Sequence, residues 1–395
     1  MCDDYKVGWI CALATELAAA RAMLDEEYEE GPRLNNPPPN KYRYGSIKGH
    51  NVVIACLADG ETGNNSAARV ATLMTCIFRS LKIGLMVGIG GGVPSLPDQD
   101  IRMGDVVVSS AKGIYGGVVQ HDCGKTVQGG AFEPTGSLNR PPDEIRVAVS
   151  HLRATYELRK GKITEYLAEI VSRHENFASP AITSGLKDVL FEASYDHPRD
   201  AVSTCAHCDE TKIIRRCARP SHNPVIHHGL IASGNRVIKN GLERDEISRR
   251  YGGVACFEME AAGVMNILPC LVIRGICDYS DSHKNKEWQS YAAAVAAAYA
   301  KEFLEELEPT RLNQVQRASE VLSKKPLSEN EVFGLRQKQS AANLTSKEPL
   351  GQIELNRLNQ AKTTIVAISK SLQVRAYLSS GALIVETTVS AFSSC

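Results

Sequence analysis

The 395-residue sequence has no run of about eighteen uncharged apolar residues, so no segment is expected to span a membrane. It also has no excess of either charge. Its 45 Lys+Arg meet 45 Asp+Glu, which excludes the strongly basic footprint of a whole-chain nucleic-acid binder. H-E-x-x-H, G-x-S-x-G and the P-loop are missing, and with them the commonest metalloprotease, esterase and NTPase signatures. The opening Met1-Cys2-Asp3-Asp4 is acidic where a signal peptide is basic, and Glu16 interrupts the apolar run that follows. A cytoplasmic protein is expected. Cysteine is not scarce, but several thiols stand inside apolar, strand-like runs such as 52–57 and 271–277. There a free thiol behaves as a small buried hydrophobe, in keeping with a reducing compartment.

What is present, over the first three hundred residues, is alternation of strands and helices. Residues 7–12 read as a strand, 16–24 as an alanine-rich helix, and 42–47 with 51–58 as a hairpin turning at Lys48-Gly49-His50. Asn64 or Asn65 can cap a helix over 66–80. Buried strands follow at 84–90 and 105–109, a helical region at 143–173, and a loop-rich insertion at about 174–224. Further strands are expected at 228–232 and 270–277, with a helix over 258–268 between them. Alanine fills seven of the ten positions 291–300, and Pro309 stops the helix 289–307. The alternation predicts an α/β fold, a three-layer domain over 1–308 whose central sheet is mixed, largely parallel and covered by helices. From 309 to 395 the composition turns basic and poor in aromatics. A helix over 353–372 and β-prone stretches at 363–368 and 382–389 compete there, and the role of this tail is not readable.

Gly88-Ile89-Gly90-Gly91-Gly92 follows a buried strand, as a dinucleotide fingerprint would. Val93 then stands where that fingerprint needs its last glycine, and a proline-rich loop replaces the helix. The remaining reading is a loop whose backbone can approach a ligand closely. Cys205, His207, Cys208, Cys217 and His222 could ligate zinc. The second pair is loosely spaced and His197 competes for the role, so the reading taken is a loop with free thiols.

Carboxylates carry the stronger signal. Glu258 and Glu260 stand at the expected start of a helix, where the dipole favours negative charge, and Phe257 and Met259 interleave them with apolar surface. Asp278 ends an apolar strand, at the edge where open α/β sheets bind ligands, and Glu16 follows the first strand at the same edge.

Six strings in order then show a resemblance: VGWICALATE at 7–16, LMVGIGGG at 85–92, GDVVVS at 104–109, GLIASGN at 229–235, FEMEAA at 257–262 and RGICD at 274–278. Together they resemble the nucleoside phosphorylase family, which includes the methylthioadenosine/S-adenosylhomocysteine nucleosidases. HDCGKTVQGG at 121–130 and CDYSDSHKNK at 277–286 look like its fungal branch. The resemblance implies roles by position. Asp278 would protonate the purine at N7, which requires burial to raise a carboxyl group well above about 3.9. Glu260 would hold the ribose hydroxyls, Met259 would pack on the sugar, and Phe257, Val237 and Ile238 would supply apolar surface around the base. Gly90, Gly91 and Gly92 would line the sugar and nucleophile side.

The family's phosphate-binding arginines are missing from their places, where Cys11–Thr15 and Met86 stand instead, and Glu16 sits where the nucleosidases carry a glutamate that orients water. The resemblance therefore implies a purine nucleosidase, with a phosphorylase, an adenine-nucleotide N-glycosidase using Arg215, Arg216 or Arg219, and a non-catalytic nucleoside sensor as alternatives. It implies a small purine nucleoside as partner, at least a dimer, no redox cofactor and no catalytic metal. Preference among adenosine, inosine and guanosine is not readable.

Overall fold

Alternation along single strands builds the sheet. In the first strand Val7, Trp9 and Cys11 turn to one face and Ile10 to the other, and all four are buried. Residues 52–55 repeat the pattern, with Val52 and Ile54 on one face and Val53 and Ala55 on the other. A strand apolar on both faces belongs inside a sheet covered twice. The computed structural model places it there; it describes residues 2–32, 40–174, 186–198, 204–221, 223–313, 315, 317, 318, 375–379 and 382–386.

In chain order the first half contains β1 (Val7–Cys11), α1 (Ala14–Ala22), β2 (Glu26–Tyr28), β3 (Tyr42–Ile47), β4 (His50–Cys56), α2 (Asn64–Ile77), β5 (Ile83–Gly92), β6 (Val106–Ser109), β7 (Val118–Gln120), β8 (Gly124–Thr126) and β9 (Phe132–Pro134). Then come α3 (Asp143–Leu158), α4 (Ile163–Arg173), β10 (Ile226–Gly229), β11 (Ile231–Ser233), α5 (Gly241–Arg250), β12 (Cys256–Glu258), α6 (Ala261–Val264), β13 (Cys270–Asp278) and α7 (Gln289–Glu306). The main path of the sheet runs β10-β6-β13-β5-β1-β4-β3-β2. Pairs β1·β4, β1·β5, β5·β13 and β6·β10 are parallel, whereas β13·β6, β3·β4 and β2·β3 are antiparallel. The mixed, mostly parallel sheet expected from the sequence is therefore present.

One face of the sheet is covered by α1, α3, α4 and the buried alanine-rich α7; the other is covered by α2 and the segment around α6. The compact unit extends from Met1 to Lys324, with Leu312, Val315 and Ala318 buried in it. A second unit, Lys325–Cys395, contains an antiparallel pair, β14 (Arg375–Ser379) and β15 (Ala382–Glu386). The helix considered over 353–372 and the β-prone 363–368 lie outside the described residues. Within the insertion, the described residues form 3-10 turns at Cys205–His207 and Glu210–Lys212 and a bridge between Phe191 and Ile213.

Two local readings are corrected. The helix expected over 258–268 spans only Ala261–Val264, and Cys256–Glu258 form a strand. Pairing of β12 with the glycines of β5 draws this segment into the sheet. The helix of 66–80 begins at Asn64 with Gly63 as its cap, and neither asparagine side chain caps it. Asn64 instead accepts a hydrogen bond from Ser233 Oγ at 3.0 Å.

Candidate active site

The carboxyl ends of β1, β5 and β13 lie side by side, and the site is built there. Glu16, in the first turn of α1, folds back so that its Oε2 accepts from the amides of Ala12 at 2.7 Å and Leu13 at 3.0 Å. This is the glutamate half of a capping box. Its Oε1 accepts from the amide of Ile89 at 2.8 Å, bridging β1 to β5. Three of the four lone-pair positions of the carboxylate are thereby used, and one remains. Burial pushes Glu16 above the usual carboxylate range, although Arg274 and these amides oppose the shift.

Arg274, in the middle of β13, is the group around which the acids gather. Its side chain is 1% exposed. Nη2 donates to Glu258 and lies 3.6 Å from Glu260 Oε2, and Nη1 donates to the carbonyl of Ile89 at 3.3 Å. Glu258 also accepts from the amides of Glu260 and Ala261, so it fixes the turn from β12 into α6. Glu260 caps α6, and its Oε1 accepts from the Gly63 amide at 3.2 Å. Burial, with Glu258 and Glu16 nearby, pushes Glu260 up to about 7 despite Arg274. Gly88 leaves room for this cluster. A Cβ there would lie 2.3 Å from Glu16 Oε1 and 2.6 Å from Arg274 Nη1.

Asp278 is turned by an irregularity in β13. The register against β5 slips between Ile276 and Asp278, so both Ile276 and Cys277 precede an aspartate that pairs with Gly91. Asp278 Oδ1 accepts from the Ser280 amide at 2.9 Å, and Oδ2 lies 2.9 Å from Lys284 Nζ. Burial works against the charge of Lys284, but Asp278 more than offsets it and holds the ammonium above the usual lysine range. A Cβ at Gly91 would meet Ser280 Oγ at 2.0 Å and Asp278 Oδ1 at 2.6 Å. The Gly-Gly segment is therefore a seat for the aspartate loop.

A cavity of about 220 Å³ opens beside these groups. Glu16, Gly90, Gly91, Val237, Ile238, Phe257, Met259 and Glu260 all line it, as do Glu258, Arg236 and Lys284. The sequence-expected residues thus converge, with two exceptions. Gly92 faces inward, where Ile276 and Ile101 fill the space beside it. Asp278 lines a second cavity of about 530 Å³, and Cys277 lines both. Arg216 and Arg219 line neither cavity, being held by Asp188 at 2.8 Å and Asp105 at 2.7 Å.

Sequence reading assigned no role to Arg274, Glu258 or Lys284. Arg274 was detectable, since a lone guanidinium in an apolar central strand must be paired with acid. Lys284 was not, because a basic loop reads the same whether or not it folds onto an aspartate.

Among proteins of known identity, the chain is 47% identical over 314 residues to a nucleotide-binding leucine-rich repeat-like protein of Hyaloscypha variabilis. The match covers 78% of this chain and 30% of that one. It is 23% identical over 302 residues to ATP nucleosidase Cap17 of Escherichia coli, covering 75% of this chain and 50% of that protein. Over 314 residues it is 23% identical to a 5′-methylthioadenosine/S-adenosylhomocysteine nucleosidase of Mycobacterium tuberculosis, covering 75% of this chain and 95% of that protein. The chain therefore spans half or less of the first two. A solved nucleosidase of that last kind from Neisseria meningitidis, in complex with methylthio-immucillin-A, aligns at 17% identity and a TM-score of 0.49, over 76% of this chain and 98% of its own. A sequence model of the phosphorylase superfamily matches residues 6–307, from the start of β1 to the end of α7. That span contains every element around the site, and the chain belongs to the phosphorylase superfamily.

Proposed function

We propose that this chain hydrolyses the N-glycosidic bond of purine nucleosides, giving free base and ribose. The observation that carries the reading is the charge pairing of the pocket. Three carboxyl groups surround one buried guanidinium, Arg274, and both cations that line the cavity already have an acid: Arg236 has Glu243 and Lys284 has Asp278. Such a pocket suits a sugar that becomes cationic at C1′ and suits an inorganic oxyanion poorly.

Glu260 accepts hydrogen bonds from the ribose hydroxyls and Met259 packs on the sugar, while Phe257, Val237 and Ile238 wall the base. The bond from C1′ to N9 breaks as the oxygen of a water bonds to C1′. That water gives its proton to Glu16, whose remaining lone pair and raised basicity suit the task. The departing purine takes up a proton at N7 from the Asp278–Lys284 pair and leaves neutral. The relatives named as nucleosidases are consistent with this chemistry.

One assay tests the reading. Purified protein is incubated with adenosine, inosine, guanosine and uridine, with and without phosphate, and the sugar product is identified. Free ribose at a rate indifferent to phosphate is expected. Ribose 1-phosphate formed only with phosphate would make the chain a phosphorylase, and binding without any product would make it a sensor.

A second reading has its own observation. Arg236 lines the cavity with a side chain 63% exposed, and a surface ion pair such as its contact with Glu243 is weak enough to yield to a 5′-phosphate. ATP nucleosidase Cap17 is among the relatives. If adenine nucleotides are the substrate, R236A lowers turnover of the triphosphate and spares adenosine.

A further inference from the structure

The cysteine pair of the insertion takes no part in the proposed chemistry, yet it is not left alone. Cys205 Sγ, Cys208 Sγ and a ring nitrogen of His197 lie within 4.8 Å of one another. Both thiols are free, and a 3-10 turn over Cys205–His207 brings them to the same side. His197 Nδ1 lies 3.0 Å from the carbonyl of Pro198, while Nε2 is buried without a partner. An Nδ1–H donated to a carbonyl leaves the Nε2 lone pair free, which is how metal-ligating histidines are oriented.

His283 supplies the adjoining observation. Its ring centroid is 5.4 Å from that of His197, and Cys205 Sγ reaches its carbonyl at 3.9 Å. Both ring nitrogens of His283 are buried and unpartnered. Asp281 Oδ1 stands 3.8 Å from Nδ1, too far for a hydrogen bond. Three orphan imidazole nitrogens beside two thiols need an explanation, since each costs about 1–3 kcal/mol when left unsatisfied.

We propose that His197, Cys205 and Cys208 bind one zinc ion and that His283, whose ring nitrogens lie outside that 4.8 Å cluster, turns in to complete the tetrahedral set. Two thiolate sulfurs and two imidazole nitrogens form a closed set that suits structural zinc. The sequence pairing of Cys205 and Cys208 with Cys217 is not used. Cys217 is exposed, and His222 lies outside the described residues. The ion would tie the insertion to the loop that carries Asp278 and Lys284. The 530 Å³ cavity lies between them, lined by Cys205 and Cys208 from the insertion and by Asp278 and His283 from the loop. Its role is to hold that wall, and the proposal is independent of which nucleophile attacks the sugar.

The test uses the full chain, purified reduced from zinc-supplemented medium, desalted and assayed for metal by atomic emission. About one zinc per chain is expected, with C205S and C208S each retaining less than about a tenth of it and C217S retaining all. Because the serine variants could misfold, cobalt(II) is also titrated into the metal-free wild type. A sulfur-to-cobalt charge-transfer band with the intense visible bands of a tetrahedral ion supports the site, and H283A should alter those visible bands. Wild-type protein that carries no zinc and shows no such bands overturns the proposal, as does C205S with wild-type zinc content.

Discussion

Lys284 Nζ meets Asp278 Oδ2 at 2.9 Å, with the aspartate only 3% exposed. The sequence led us to expect burial alone to make Asp278 an acid. The structure instead sets the Lys284 ammonium against the carboxylate as an ion pair. In the proposed reaction the two act as a unit, so D278N, K284M and the double variant should lose about the same factor, 10²–10⁴ in kcat. A riboside whose leaving group needs no proton, such as p-nitrophenyl riboside, should be cleaved by all three at close to the wild-type rate. Equal losses on both substrates would assign the pair to structure rather than to proton transfer.

Glu260, raised to about 7 by burial, ties activity to pH. The carboxylate form is needed to accept from ribose, so kcat/KM should fall below about pH 7, a limb that E260Q lacks. Stability moves the opposite way. The folded state keeps its proton above the ordinary value of 4.5, so the folded chain binds more protons than the unfolded one between those limits, and stability falls as pH rises from 4.5 to about 7. E260Q should therefore be more stable than wild type at pH 8, by roughly 1–3 kcal/mol, and close to it at pH 4.5. Thermal unfolding of both proteins at the two pH values checks this.

Much of this was legible in the sequence because it is periodic or terminal. The apolar alternation of β1 and β4, the alanines of α7 and the acids at strand ends each have a local signature. What was misread depends on partners distant in the chain. Residues 256–258 became a strand because β5 offers Gly91 and Gly92, and β11 offers Ile231–Ser233, to pair with. Arg216 and Arg219 resembled free cations until Asp188 and Asp105 folded against them. His197 and His283 are separated by 85 residues, and no spacing rule joins them.

Gly88 faces Arg274 across the β5·β13 pair. G88A would put a methyl group 2.3 Å from Glu16 Oε1. Glu16 is pinned by three amides and cannot move without losing at least one. A destabilisation of about 1–3 kcal/mol is expected. Activity should fall further than stability explains, because the displaced carboxylate no longer aims its remaining lone pair. Steady-state rates at a temperature where the variant is fully folded separate the two effects. Wild-type activity in G88A would show that Glu16 need not be held.

Removing Arg274 tests whether the acids depend on it. R274M keeps length and apolar bulk but leaves Glu16, Glu258 and Glu260 gathered without their guanidinium. Breaking a buried ion pair by deleting one partner costs about 3–5 kcal/mol, chiefly because uncompensated charge stays buried. Protonation removes that cost. Arg274 opposes the upward shifts of Glu16 and Glu260, so without it both should take up protons more readily as pH falls. The deficit of R274M relative to wild type should therefore be large at pH 8 and shrink toward pH 5. R274K should lie between the two proteins, since a lysine restores the charge but not the fork that reaches Glu258 and Ile89 together. Urea unfolding of the three proteins at both pH values measures this, and a deficit that does not change with pH would mean that Arg274 matters through packing rather than charge.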